Sequence, residues 1–101
     1  MKAWLLLLLC APAWAQDPNA GRALAATCAN CHGTQGRAVG DTLPPLAGTK
    51  AEVMLALLAD YRSGRQAGTV MPQIVKGYTE EQLRLVAAYF AAQPSAPRAR
   101  P

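Results

Sequence analysis

Cys28-Ala29-Asn30-Cys31-His32-Gly33 is the stretch on which the reading of the chain turns. Two thiols three residues apart, followed at once by an imidazole, form the C-x-x-C-H pattern of covalent haem attachment. The spacing suits that chemistry. Cysteines so placed can reach the two vinyl groups of one porphyrin, and the next residue then lies beneath the ring with an imidazole able to bind iron. Three other chemistries also use cysteine pairs. A thioredoxin-like redox site belongs to a larger α/β fold, and no alternating strand pattern is present here. A structural zinc site needs four ligands, so carboxylates would have to complete a set drawn from two Cys and one His. A plain disulfide over so short a separation closes a tiny loop and constrains little.

Upstream, residues 1–15 read MKAWLLLLLCAPAWA. Lys2 supplies a positive start. The apolar run from Ala3 to Ala11 is too short to cross a bilayer core of roughly 30 Å as a helix. Ala13-Trp14-Ala15 fits the small-x-small cleavage pattern, so this segment reads as a secretory signal cut after Ala15, with a periplasmic product. The alternatives are an uncleaved anchor or a buried first helix. A lipid-modified Cys10 is disfavoured because Leu8 and Leu9 precede it. With residues 1–15 set aside, Cys28, Cys31, His32, Met54 and Met71 are the remaining soft or imidazole ligands. A chain of 101 residues allows one small domain. Such a domain buries a modest fraction of its surface and needs a staple, for which a cofactor serves better than one short disulfide. The formal charge of +4 suits docking to acidic surfaces, but the Lys and Arg residues are too scattered for a nucleic-acid footprint. Arg62, Arg65 and Lys76 are candidates for a docking charge and equally for ordinary solvated surface.

Outward from the motif, the pattern is all-α, with three main helices. The first is expected from about Pro18 to Ala29, with Asp17 as N-cap and Pro18 at the first helical position. Ala20, Leu24 and Cys28 recur at four-residue spacing, and Gly21 offers a smooth patch for close packing. A Gly/Pro-rich loop, Gly33 to Gly48, follows; a loop of that length in a small domain is usually functional or wrapped around something. Thr49-Lys50-Ala51-Glu52 reads as a capping box opening the second helix. Val53, Leu57 and Tyr61 mark one face, Met54 and Leu58 lie beside it, and Ser63-Gly64 ends it. A second irregular stretch, Arg65 to Tyr78, has Met71-Pro72 at its middle. Thr79-Glu80-Glu81-Gln82 is another capping box, opening a helix whose stripe is Leu83, Val86, Ala87 and Phe90 with Tyr89 on its flank. Pro94 stops it. The domain is thus expected over residues 16–93, with a disordered tail over 94–101.

His32 is the single histidine, so a second axial ligand from this chain must be a thioether. Met71 lies in a Pro-bearing loop that can pass over an open ring face. Met54 lies on an amphipathic helix, where Met is usually core filler. Met71 is therefore the expected sixth ligand; if it only covers the haem edge, iron stays five-coordinate and the site becomes ligand-binding or catalytic. A ligating imidazole usually donates its other N–H to a fixed acceptor. The stiff Leu43-Pro44-Pro45-Leu46-Ala47-Gly48 stretch offers the Pro44 carbonyl for that purpose, or else these prolines merely shape a turn.

Residues 19–93 resemble a class I monohaem cytochrome c, with CANCHG, PPLAG, a Met in the sixth-ligand position and an aromatic-bearing last helix in the expected order. The resemblance implies first and last helices that cross, with Gly21 and Leu24 meeting Val86 and Tyr89. It also implies a middle helix on the haem edge and one covalent haem c in a crevice, bound by Cys28, Cys31, His32 and Met71. Within that class, CHGTQGRAVGDTLPPLAG followed by TVMPQIVKGYTEEQLRLVAAYFAAQ is most similar to the cytochrome subunits of flavocytochrome c sulfide dehydrogenases. This implies electron transfer, with the FAD and the sulfide chemistry on a flavoprotein partner and no catalysis by this chain alone. A free shuttle to an oxidase or reaction centre is the alternative reading. A haem enzyme or gas sensor with an open iron site is a lesser one.

Overall fold

A computed structural model describes residues 19–95. Asp17, Pro18, the leader expected over 1–15 and most of the expected tail lie outside the described residues. The order is α1 (Ala20–His32), a short 3-10 turn (Thr34–Gly36), α2 (Ala51–Ser63), α3 (Met71–Val75) and α4 (Glu80–Ala91). No strand occurs among the described residues.

The first helix does not stop near Ala29. It runs on to His32 and ends at Gly33, whose φ of 88° leaves the helical region. The Gly33 N–H closes the last turn on the Ala29 carbonyl at 3.0 Å. A side chain at Gly33 would collide with the Arg37 carbonyl, so only glycine makes this exit.

The second helix starts one residue later than the capping box requires. The Thr49 N–H is already bonded to the Leu46 carbonyl at 3.1 Å. Lys50 therefore becomes the N-cap, and no side-chain cap bond forms. With Lys50 as cap, Glu52 stands at the second helical position rather than the third, where a reciprocal bond is made. The buried face also differs from expectation. Met54 is buried, and Ala51, Leu55 and Leu58 pack against the core with it, whereas Val53 and Leu57 stand open. This segment is apolar nearly all round, so periodicity alone does not select a face; the neighbouring helix does.

The stretch between α2 and α4 is not wholly irregular. Met71-Pro72 opens the short helix α3, because a first-turn proline has no helical N–H bond to lose. The fourth helix starts as its sequence indicates. Thr79 Oγ1 accepts from the Gln82 N–H at 3.1 Å, and the Thr79 N–H donates to Gln82 Oε1 at 2.9 Å.

The core lies where α4 packs on both α1 and α2. Ala25, Met54, Val86, Ala87 and Phe90 form its buried centre. Phe90 is fully enclosed and meets Tyr89 edge-on, with ring centroids 5.2 Å apart. Burial of such a ring stabilises by about 1.5–3 kcal/mol. At the α1–α4 crossing Gly21 faces Leu85 and Tyr89; a Cβ at Gly21 would lie 2.7 Å from the Leu85 carbonyl oxygen. The segment from Gly33 to Gly48 is pinned by main-chain bonds. The Gly36 carbonyl accepts from Leu46 and Ala47 at 2.8 and 3.1 Å, and the Gly48 N–H donates to the Phe90 carbonyl at 2.9 Å. These bonds fold the Pro44-Pro45 stretch back beside the end of α1.

Candidate haem site

Continuation of α1 through His32 sets the geometry of the site. Cys28, Cys31 and His32 stand at i, i+3 and i+4 of one helix and therefore share a face. The two cysteines are not joined to each other; Cys31 is exposed and Cys28 half-buried. Burial pushes the Cys28 thiol above the usual range; a backbone hydrogen bond opposes this and the neighbouring Cys31 adds to it. Among the described residues, no group of three or more His, Cys, Asp and Glu side chains is gathered to hold a metal ion by itself.

His32 is buried, and its Nδ1 lies 2.8 Å from the carbonyl oxygen of Pro44. A carbonyl can only accept, so Nδ1 carries the hydrogen and donates it. In the neutral ring Nε2 is then left with its lone pair, the form in which imidazole binds a metal. Pro44 comes from the pinned loop, so ring orientation is set by main-chain geometry twelve residues away.

Met71 is the first residue of α3 and is half-buried; Met54 is enclosed in the helical core. Several large apolar side chains stand open: Val39 and Leu43 before Pro44, Val70 before Met71, and Val53 and Leu57 one turn apart on α2. The donor set, two cysteines and an imidazole with its Nε2 unprotonated on one helix face, fits a covalently attached haem.

A family model described as cytochrome C oxidase, cbb3-type, subunit III, matches residues 15–90. The chain belongs to the class I cytochrome c family. Membership of that family implies covalently bound haem c and electron transfer through it, and this cytochrome c has one C-x-x-C-H motif, Cys28 to His32, to attach it. It is 39% identical over 70 residues to the cytochrome subunit of sulfide dehydrogenase from Chlorobaculum tepidum, covering 69% of this chain and 63% of that one. It is 32% identical over 82 residues to cytochrome c-554(548) from Halomonas halodenitrificans, covering 78% of this chain and 99% of that one. A solved structure of a thiosulfate dehydrogenase from Marichromatium purpuratum superposes with a TM-score of 0.73 at 36% identity, over 83% of this chain and 21% of that one. The cytochrome thus spans less than two thirds of the sulfide dehydrogenase subunit and about a fifth of the thiosulfate dehydrogenase chain. Among the described residues no helix is long and apolar enough to cross a membrane.

Arg62, expected as a docking charge or as solvated surface, is instead half-buried and directed at main chain, and sequence reasoning gave Tyr78 no role. Arg62 Nη2 donates to the Val75 carbonyl at 2.9 Å and to the Tyr78 carbonyl. The Tyr78 hydroxyl donates to the Leu24 carbonyl at 3.2 Å, joining the start of α4 to α1. A signal was present for Arg62, which continues the Leu55–Leu58 row at i+7, on the core-facing side of α2. Arg65 pairs only at the surface with Asp60, at 3.8 Å, and Lys76 is exposed. The groove of about 310 Å³ lined by Leu55, Ala59, Arg62, Ser63, Glu80, Leu83 and Arg84 contains none of the expected haem-binding residues.

Proposed function

We propose that this cytochrome c is an exported, periplasmic electron acceptor working as the cytochrome subunit of a flavoprotein sulfide dehydrogenase. In this reading Cys28 and Cys31 attach the haem as thioethers, and His32 Nε2 and Met71 sulfur ligate its iron. Pro44 orients His32. The observation that carries the carrier role is the His32–Pro44 bond: it fixes the tautomer that a metal-binding imidazole needs, on the helix face that holds both thiols. The bound haem supplies one-electron redox chemistry, and Met with His as axial ligands raises its potential. The chain's part is to hold both ligands, exclude water with its apolar segments, and present a haem edge for docking. The likeness to the Chlorobaculum subunit supports sulfide dehydrogenase as the partner enzyme. The FAD and the groups that act on sulfide are assigned to that partner.

A free shuttle is the second reading, favoured by the match over 99% of the length of cytochrome c-554(548), which gives this domain the size of a whole cytochrome. Absorbance across the size-exclusion peak of gently purified protein, before and after dithionite, separates the two. A c-type haem spectrum co-eluting with flavin above the mass of this chain supports the subunit. A haem spectrum alone at the chain's own mass supports the shuttle. Absence of covalent haem sinks both. Met71→Ala is expected to abolish the ferric absorption band of sulfur-ligated iron and to lower the potential. Met54→Ala is expected to leave the band in place while costing about 2–5 kcal/mol of stability.

A further inference from the structure

Met71 sits one helical turn from Val75 on α3, a helix only five residues long. Such a helix cannot hold itself together in water, so its position depends on what anchors its ends. The approach is lightly held: Gly64 to Val70 are all exposed, with the Gln66 N–H donating to the Asp60 carbonyl at 3.0 Å. The exit is anchored. Val75 is 1% exposed, and beyond it Tyr78 is tied to α1 through its hydroxyl. α3 also packs on α2, and the Val75 carbonyl accepts from the Tyr78 N–H at 3.2 Å; the side-chain tie is Arg62 at the end of α2. Its guanidinium donates to the carbonyls of Val75 and Tyr78, one at the last helical residue of α3 and the other just before α4. The two ion pairs among the described residues belong to other arginines, Arg65 and Arg84, so Arg62 is directed at main chain rather than at a carboxylate. Charged donors to neutral acceptors are among the stronger hydrogen bonds, and terminal helix carbonyls have no intrahelical partner to lose.

We propose that Arg62 is a positioning residue for Met71: its two bonds latch α3 to α2 and determine how firmly the Met71 sulfur is held in place. The proposal rests on the reading of Met71 as the sixth ligand. Without the latch, α3 is held by its packing on α2 and by the Tyr78 anchor alone, and tilts more easily while the α1–α4 core stays packed. The effect therefore falls on ligand retention and not on the fold as a whole.

The test uses the full-length holoprotein with Arg62→Leu, which keeps an apolar stem and removes every donor, and Arg62→Lys, which keeps a cation able to reach one carbonyl. Imidazole is titrated against the ferric protein while the sulfur-ligation band is followed. Global unfolding in urea is followed separately by far-ultraviolet circular dichroism. The expected result is displacement of the band by roughly tenfold less imidazole in Arg62→Leu, an intermediate value in Arg62→Lys, and a nearly unchanged urea midpoint. An unchanged imidazole affinity in both variants overturns the latch. So does a fall in band stability that merely parallels the urea midpoint, since that is a general structural role. If Arg62→Leu does not yield holoprotein, the Arg62→Lys titration decides on the same criteria. Met71→Ala in the same titration separates the two readings. If it matches the parent, the ligand assignment fails and the latch with it; if it has lost the band while the Arg62 variants match the parent, only the latch fails.

Discussion

Gly21→Ala reverses the usual sign of a glycine-to-alanine change in a helix. On propensity alone, alanine stabilises a helix interior by about 0.8–1.0 kcal/mol relative to glycine. At Gly21 the added carbon would lie 2.7 Å from the Leu85 carbonyl oxygen and 3.4 Å from Tyr89 Cβ. The first of these is main chain of α4 and cannot swing aside as a side chain would. To restore an ordinary contact near 3.4 Å, α1 and α4 must separate locally by about 0.7 Å. A gap of that size forfeits about a quarter to a half of the dispersion energy of each contact it opens. Overpacking of this kind costs about 1–3 kcal/mol. The cost exceeds the propensity gain, and the net expectation is a loss of about 1 kcal/mol, read as a fall in Tm of about 4–8 °C. The assay is thermal unfolding of the holoprotein by circular dichroism. Ala26→Gly, at an exposed position of the same helix, calibrates propensity without the crossing and is expected to lose about 1 kcal/mol. A Gly21→Ala protein as stable as its parent, or more so, refutes the close-crossing argument.

The two threonines before α2 and α4 are expected to behave differently although their sequences look alike. Thr79→Ala loses both bonds of a formed capping box and is expected to cost about 1 kcal/mol in urea unfolding. Thr49→Ala removes a side chain that makes no cap bond and is expected to stay within about 0.5 kcal/mol of the parent. Cys28→Ser or Cys31→Ser leaves one thiol for attachment, so acid–acetone extraction should still retain haem in the protein phase. The double variant should release all of it and lose much of its helical circular dichroism. Haem retained through that extraction by the double variant would disprove the attachment assignment.

The fold was legible where a local rule and the tertiary contacts agree. Thr79 to Gln82 and the Leu83–Val86–Ala87–Phe90 stripe behave as written because α4 has one apolar face and one neighbour on each side of it. The motif helix was read short, since periodicity ends at Cys28 while the helix itself ends at the glycine five residues on. The start of α2 failed for a competing bond: the Thr49 amide goes to Leu46, and a capping box cannot form around an N–H already in use. Its buried face failed because Ala51 to Ala59 is apolar on nearly every side, a pattern that leaves the choice to α4. Of the site, the thiols and the histidine are visible as a pattern. The carbonyl partners of Arg62 are not, because main-chain carbonyls occur at every position and only the fold selects two of them.

The acceptor facing His32 is a peptide carbonyl, which has a bearing on how such a protein can change over generations. A carboxylate or amide acceptor can be exchanged by one codon, and the electron density on the imidazole would change with it. No substitution at Pro44 deletes its oxygen. Only a displacement of the backbone can do so, and that backbone is pinned through Gly36 and Phe90. The orientation of His32 is therefore buffered against drift. In the proposed site, heritable variation in redox behaviour is left to Met71, which rides on five helical residues with few anchors.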